Sequence, residues 1–327
     1  MENGTFVISL DFEIYWGVRD VLKISQYKNQ LLGVRKAIPD MLELFSKYNI
    51  NATFATVGFL FFNNKKELLA GLPGKVPVYS DPGLSPYKDN FVEVGDNEEA
   101  DPFHFGFSLI EKIQQFGQEV ASHTFSHYYC LEEGQNIEDF REDIKAAKNI
   151  AAKKEIVLKS IAFPRNQYNE AYLKICREEG FTSFRGNENA WIYKPHKHEK
   201  ETFIRRIFRF IDSYINLTGH HCYTTEYMKS SNPVNIPSSR FLKPYSKIFA
   251  FLDRIRLQRI KKSMSYAAEN KLCYHLWWHP HNFGINLHEN LAFLEKILQH
   301  YKKLSKQYQF SSVSMGQLAE LLNKENE

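Results

Sequence analysis

The feature that most constrains this chain is a rhythm in which short β-rich runs alternate with longer stretches of helical apolar spacing. Thr5-Phe-Val-Ile-Ser-Leu10 reads as a buried strand, and residues 28–48 place Leu31, Leu32, Val34, Ile38, Met41, Leu42 and Phe45 at helical intervals. Ala52–Val57, Glu119–Ser122 and Lys159–Phe163 read as further strands, with helices near 107–117, 137–153 and 169–179 between them. Leu272–Trp278 and a helix at 288–307 follow, then a last pair at about Phe310–Val313 and Met315–Leu322. Strands separated by helices pair in parallel through right-handed crossovers. One α/β barrel of about 250 residues plus insertions accommodates the 327 residues as a single domain.

Two segments break the rhythm. Residues 63–104, rich in Gly, Pro, Asp and Asn, have the length of a functional loop or lid rather than a linker. Residues 192–270 form a second insertion with a basic, apolar helix near 241–262, where Ile248, Phe249, Leu252, Ile255 and Ile260 recur beside Arg254, Arg256, Arg259, Lys261 and Lys262. Such a helix either packs on the barrel or rests on an anionic membrane surface or a phosphate-bearing substrate.

Composition narrows the function classes. A net charge of +4, with no recognisable nucleic-acid module, argues against a nucleic-acid partner. No apolar run reaches the length of a membrane span and no secretory signal opens the chain, so cytoplasm is the expected compartment. Cys130, Cys176, Cys222 and Cys273 are scattered without CxxC pairing, which suits free thiols. Oligomeric state is not legible.

Four clusters at strand ends could carry chemistry. In Ser9-Leu10-Asp11-Phe12-Glu13, two carboxylates two residues apart share one face of an extended chain, a costly arrangement unless a cation or a base role compensates or the acids are exposed where the strand turns into a loop. In His123-Thr-Phe-Ser-His127, two imidazoles one helical turn apart can reach one metal at about 2.1 Å. In Tyr274-His-Leu-Trp-Trp-His-Pro-His281, the strand stops at Pro280, so His279 stands at its end as the working acid, with His281 as rival and His275 a core histidine. In Phe163-Pro-Arg165-Asn166, an arginine on the rim could hold Asp11 ionised and oriented, or be a surface residue in a turn. No Gly-x-Ser-x-Gly elbow, His-Glu-x-x-His pair or phosphate-binding glycine loop is present.

Taken in order, these clusters resemble the polysaccharide deacetylase (NodB-homology) family of carbohydrate esterases, more narrowly its divergent members in surface-polysaccharide gene clusters. The resemblance implies a distorted (β/α)7 barrel and metal-dependent removal of acetyl groups from sugars. It makes Asp11 the general base, Glu13 the carboxylate ligand in place of the family's usual second Asp (here Phe12), His123 and His127 the imidazole ligands, and His279 the acid. Phe163-Pro-Arg-Asn departs from the family's Arg motif, and the Trp that lines its acetyl pocket finds only a loose match at Trp191.

The implied mechanism binds a divalent metal, zinc by its donor set, and activates a water that Asp11 deprotonates. A backbone N–H near Arg165 would help the metal hold the oxyanion, and protonation of the departing amine by His279 favours amide over ester cleavage. The expected substrate is an N-acetylated sugar that is nucleotide-, lipid- or polymer-linked, with peripheral membrane contact open. A cyclic-amide hydrolase of allantoinase type and a non-catalytic carbohydrate-binding member are the alternatives.

Overall fold

The computed structural model describes residues 3–89, 91–194 and 202–324. Among the described residues there are nine strands: β1 (Thr5–Phe12), β2 (Ala52–Thr56), β3 (Glu119–Ser122), β4 (Ser160–Ala162), β5 (Ser183–Arg185), β6 (Val234–Asn235), β7 (Arg240–Phe241), β8 (Cys273–Trp278) and β9 (Ser311–Ser312). They form one parallel sheet in the order β6-β5-β4-β3-β2-β1-β8-β7, with β9 on the start of β1. The sheet curls into a distorted (β/α)7 barrel, as the resemblance implied. Its two edges, β6 and β7, are joined by residues 236–239. Ser238 N–H donates to Gly186 O just past β5 and Ser239 N–H to His275 O in β8, so this segment bridges the seam.

The two-residue period of each strand sorts side chains into layers. In β1, Phe6, Ile8, Leu10 and Phe12 face outward into the main core, packed under the helices Ile24–Tyr48 and Leu287–Tyr308. The alternate residues Ser9 and Asp11 hydrogen-bond Arg185 of β5 across the interior. The start of the barrel is closed by the helix Met315–Lys324, whose Met315, Leu318, Ala319 and Leu322 join Val7 and Ile236 in a second core cluster. Strand-to-loop transitions at the opposite end therefore supply the functional groups.

The first insertion folds over the barrel mouth; its described residues include one short α-helix, Lys65–Ala70, a 3-10 turn, Pro82–Leu84, and a bridge between Asn64 and Asn97. Phe91 from it packs on Trp16 and Phe59. The basic stretch of the second insertion begins as a 3-10 turn, Lys247–Leu252, and continues as the helix Asp253–Glu269. That helix packs on the barrel: Ile260 and Met264 are buried, and the Arg256 guanidinium lies 4.1 Å from the Phe293 ring centroid. The four cysteines form no disulfide. Among the described residues no helix is long and apolar enough to cross a membrane.

Candidate active site

Glu13 leaves the end of β1 and turns back toward the barrel axis, with Ile14 in the left-handed region at φ 45°. Its Oε2 lies 3.2 Å from His123 Nε2 and 3.1 Å from His127 Nε2. These three are the described His, Cys, Asp or Glu side chains that converge closely enough to hold one metal ion, their ligand atoms all within 4.8 Å of one another. All three are buried.

The proton inventory shows that a cation fits. His123 Nδ1 lies 2.8 Å from Ala162 O, and a carbonyl can only accept, so Nδ1 carries the hydrogen. His127 Nδ1 lies 3.1 Å from the Tyr129 hydroxyl oxygen, whose own hydrogen goes to Asp20 Oδ2 at 2.9 Å, so this Nδ1 donates as well. In the neutral rings both Nε2 atoms then present lone pairs toward the Glu13 carboxylate. Burial, the largest effect on His127, pushes its pKa down and favours that neutral form. Burial pushes Glu13 up, but the neighbouring imidazoles, His279 first, outweigh it when they carry positive charge and then hold the carboxyl well below its ordinary value. Two imidazole lone pairs and a carboxylate facing one point suit a divalent metal with open positions.

The supports reach far along the chain. The His-x-x-x-His spacing is not on a helix, as its period had suggested. It lies in the loop after β3, with Thr124 at φ 62° and His127 at φ 58°. Asp143, buried on the helix Ile137–Lys153, holds that loop. It accepts from Phe125 N–H (2.7 Å), Ser126 N–H (3.1 Å) and the Ser126 hydroxyl. Burial raises Asp143 to about 7 while the three donors pull it back. The first insertion contributes Tyr79, whose hydroxyl accepts from Tyr129 N–H at 2.9 Å.

Gly17 lies against the Glu13 carboxylate. A Cβ there would stand 1.9 Å from Glu13 Cδ and 2.1 Å from its Oε1. Gly17→Ala is therefore expected to displace the carboxylate and to weaken binding of a divalent metal by this cluster about 10–100-fold, the range seen when groups that orient a ligand are altered. Competition with a chromogenic chelator measures this, and unchanged affinity would show that Glu13 is not a ligand.

Asp11 is held by an arginine, and that residue is Arg185, not Arg165. Arg185 donates from Nη1 to Oδ1 at 2.6 Å and from Nη2 to Oδ2 at 2.7 Å, and its ring-like plane lies 4.2 Å from the Trp277 centroid. Ser9 Oγ and Asn166 Oδ1 take further bonds from the same guanidinium at 3.1 and 3.2 Å. Burial pushes Asp11 up, but Arg185, His123 and His279 hold it below the ordinary carboxylate value. Arg165 sits on the rim as expected, yet it and Asn166 adopt left-handed backbone (φ 53° for each). Its guanidinium instead bonds Asp20 and, at 3.3 Å, Glu132, and stacks 4.1 Å over the Tyr129 ring. Arg165 thus backs the Asp20–Tyr129–His127 chain. Nearby N–H groups are engaged: Asn166 donates to Phe163 O and Gln167 to Pro164 O.

His279 Nε2 lies 3.6 Å from Glu13 Oε1 and 3.8 Å from Asp11 Oδ2, and its partly exposed ring lines a cavity of about 670 Å³. His281 stacks behind it, centroids 5.1 Å apart, with its Nδ1 buried and unpartnered among the described residues. Burial first, and then His279, push His281 down to about 3. His275 is a satisfied core histidine: Nε2 meets Ser9 Oγ at 2.8 Å and Nδ1 meets Ile236 O at 3.0 Å. Trp191 is more than half exposed and does not line the cavity; Trp277 does. Gly33 of the first helix approaches Gly284 so closely that a Cβ on it would stand 1.9 Å from Gly284 O, which fixes the turn carrying His279 and His281.

Residues 32–184 match the model of the polysaccharide deacetylase family, a span that includes His123, His127 and Arg165 but neither Asp11, Glu13 nor His279. No curated protein matches the chain. Among solved structures it is similar to a protein assigned as a polysaccharide deacetylase from Mycobacterium smegmatis, at 13% identity over 99% of this chain and 92% of that one, with TM-score 0.61. A second, also assigned as a polysaccharide deacetylase, from Pseudomonas aeruginosa PAO1, gives 11% identity over 98% and 91%, TM-score 0.56. The Puue allantoinase gives 10% identity over 97% and 89%, TM-score 0.54. At such identities these likenesses concern the fold. Residues 32–184 thus match the polysaccharide deacetylase family, and the barrel that contains them shares its fold with these solved structures.

Proposed function

We propose that the chain is a metal-dependent amide hydrolase that removes the N-acetyl group from an amino sugar in surface-polysaccharide or lipopolysaccharide assembly, on the cytoplasmic side of the membrane. The observation that carries this reading is the convergence of Glu13, His123 and His127 with both imidazole Nδ1 atoms already committed as donors. A divalent metal held there, zinc by its donor set, would supply an acidified water and an electrophile for the acyl oxygen.

The chain's own groups then divide the proton work. Asp11, kept ionised by the Arg185 fork, receives the proton from the attacking water. His279, on the cavity side of both carboxylates, delivers a proton to the departing amine, without which an amine leaves poorly. His281 is the weaker candidate for that step, because a ring pushed down to about 3 holds no second proton near neutrality. Arg165 acts as a positioning residue behind His127 rather than on Asp11.

Acetate release from N-acetylated sugars tests the reading. Asp11→Asn and His279→Ala are each expected to lower turnover by about 10²–10⁴-fold while metal content stays intact. Full activity in both variants would support a non-catalytic carbohydrate-binding role instead. The fold it shares with an allantoinase keeps cyclic-amide opening as the second reading, and ring opening without acetate release would favour it.

A further inference from the structure

The cavity beside His279 is more cationic than hydrolysis of a neutral acetamide requires. Arg165, Lys194, Arg206, Arg209, Arg240 and Lys243 line it, against the one carboxylate of Glu188. Arg165 and Arg240 have acidic partners, in Asp20 and Asp212. Lys243 makes no ion pair among the described residues; its ammonium lies 4.4 Å from the Phe210 ring centroid. Burial, then Arg256, Arg240 and Arg209, push it down to about 8. Like charges gathered in a hollow of low dielectric attract an anion, and guanidinium forks match phosphate oxygens.

An independent observation lies on the other side of one wall of that cavity. The helix Phe203–Asp212 turns Arg206 and Arg209 toward the cavity; by helical spacing Ile204 and Phe208 occupy its opposite face, with Phe203 and Ile207 on the flank between. Those four are 74%, 61%, 40% and 41% exposed. Phe210 stacks on Phe249 at 5.0 Å, which ties the helix to the turn Lys247–Leu252, where Ile248 and Phe251 are 77% and 76% exposed. A cluster of large exposed apolar side chains beside cations is the pattern of a segment lying in the interface of an anionic bilayer.

We propose that the substrate is a sugar joined through phosphate or diphosphate to a lipid, and that the helix Phe203–Asp212 lies at the bilayer surface to receive it. The apolar face enters the lipid, and Arg206, Arg209 and Lys243 take the phosphoryl group. The sugar's acyl group then extends toward His279. This assignment rests on the amide-hydrolase reading for the last contact alone, and the experiment therefore measures binding rather than hydrolysis.

The full chain is sedimented with phosphatidylcholine vesicles, plain or doped with a polyprenyl diphosphate. Doped vesicles are expected to bind about tenfold more tightly than plain ones. Arg206→Gln with Lys243→Gln should weaken binding to doped vesicles by at least about fivefold. Phe203→Ser with Phe251→Ser should weaken it about tenfold, and circular dichroism of every variant checks the fold. Equal affinity for plain and doped vesicles overturns the proposal. So does unimpaired vesicle binding by the Phe203→Ser and Phe251→Ser pair. Displacement of the chain from doped vesicles by soluble UDP-N-acetylglucosamine at low concentration would make a sugar nucleotide the phosphate source and overturn the lipid assignment. A dimer that dissociates in that same pair would mean that a second copy covers the face, with the same consequence. Vesicle binding as expected, with no acetate released from any sugar, would sink the hydrolase reading and leave this one standing.

Discussion

On the proposed reading, replacing Glu13 by alanine is expected to leave the purified protein without a stoichiometric divalent metal and without hydrolytic activity. Glu13 supplies the only negative charge in the three-residue cluster, and both imidazoles are aimed at it. Altering a group that merely orients a ligand costs about 10–100-fold in metal affinity, so losing a direct ligand should exceed that range. The apo protein should still fold, because the cut removes a buried carboxylate that only a cation or proton compensates. Elemental analysis after dialysis, together with acetate release and circular dichroism, reads all three consequences. Full zinc occupancy in the variant would place the ion elsewhere.

The second large effect is on stability. Arg185→Met should destabilise the protein by about 3–5 kcal/mol near neutral pH, because it leaves the Asp11 carboxylate buried without its partner. The pH dependence should also change sign. In the native chain Asp11 lies below its ordinary value when folded, so its stabilisation is present above the ordinary carboxylate range and fades as pH falls through the lowered folded value. Without Arg185, burial pushes Asp11 up, and stability from this group instead falls as pH rises. Urea midpoints at about pH 3 and about pH 7 compare the two directions, the lower lying beneath the ordinary carboxylate value and the upper above it. A variant as stable as the parent at both would show that the fork does not hold Asp11.

The parts legible in the sequence were those carried by long periodic segments. The helix period at 137–153 and the apolar runs at 5–10, 52–57 and 272–278 match the observed helix Ile137–Lys153 and strands β1, β2 and β8 within a few residues. Because parallel strands all present their C-terminal ends on one rim, Asp11, Glu13, His123 and His279 could be brought together before any coordinate was known.

What escaped depended on short or remote determinants. The strand Ser183-Phe-Arg185 has three residues, too few for a period to show, so the arginine on Asp11 was sought at Arg165. The alternation Ser-Phe-Arg, placed after the helix Glu170–Glu178 and before Gly186, was the available signal. The loop conformation at His123–His127 is held by Asp143, which lies 17 and 18 positions beyond its partners Ser126 and Phe125, and no local pattern announces it. The helix Phe203–Asp212 lies within the second insertion, where no stripe of buried apolar residues marks it: Phe203, Ile204, Ile207 and Phe208 are exposed.

The most direct test is metal analysis joined to an anomalous-diffraction structure of the zinc-loaded protein. The account predicts about one ion per chain, with Glu13, His123 and His127 at about 2.0–2.2 Å and no other carboxylate bound to it. A carboxylate ligand other than Glu13, or a purified protein that takes up no metal, would contradict it.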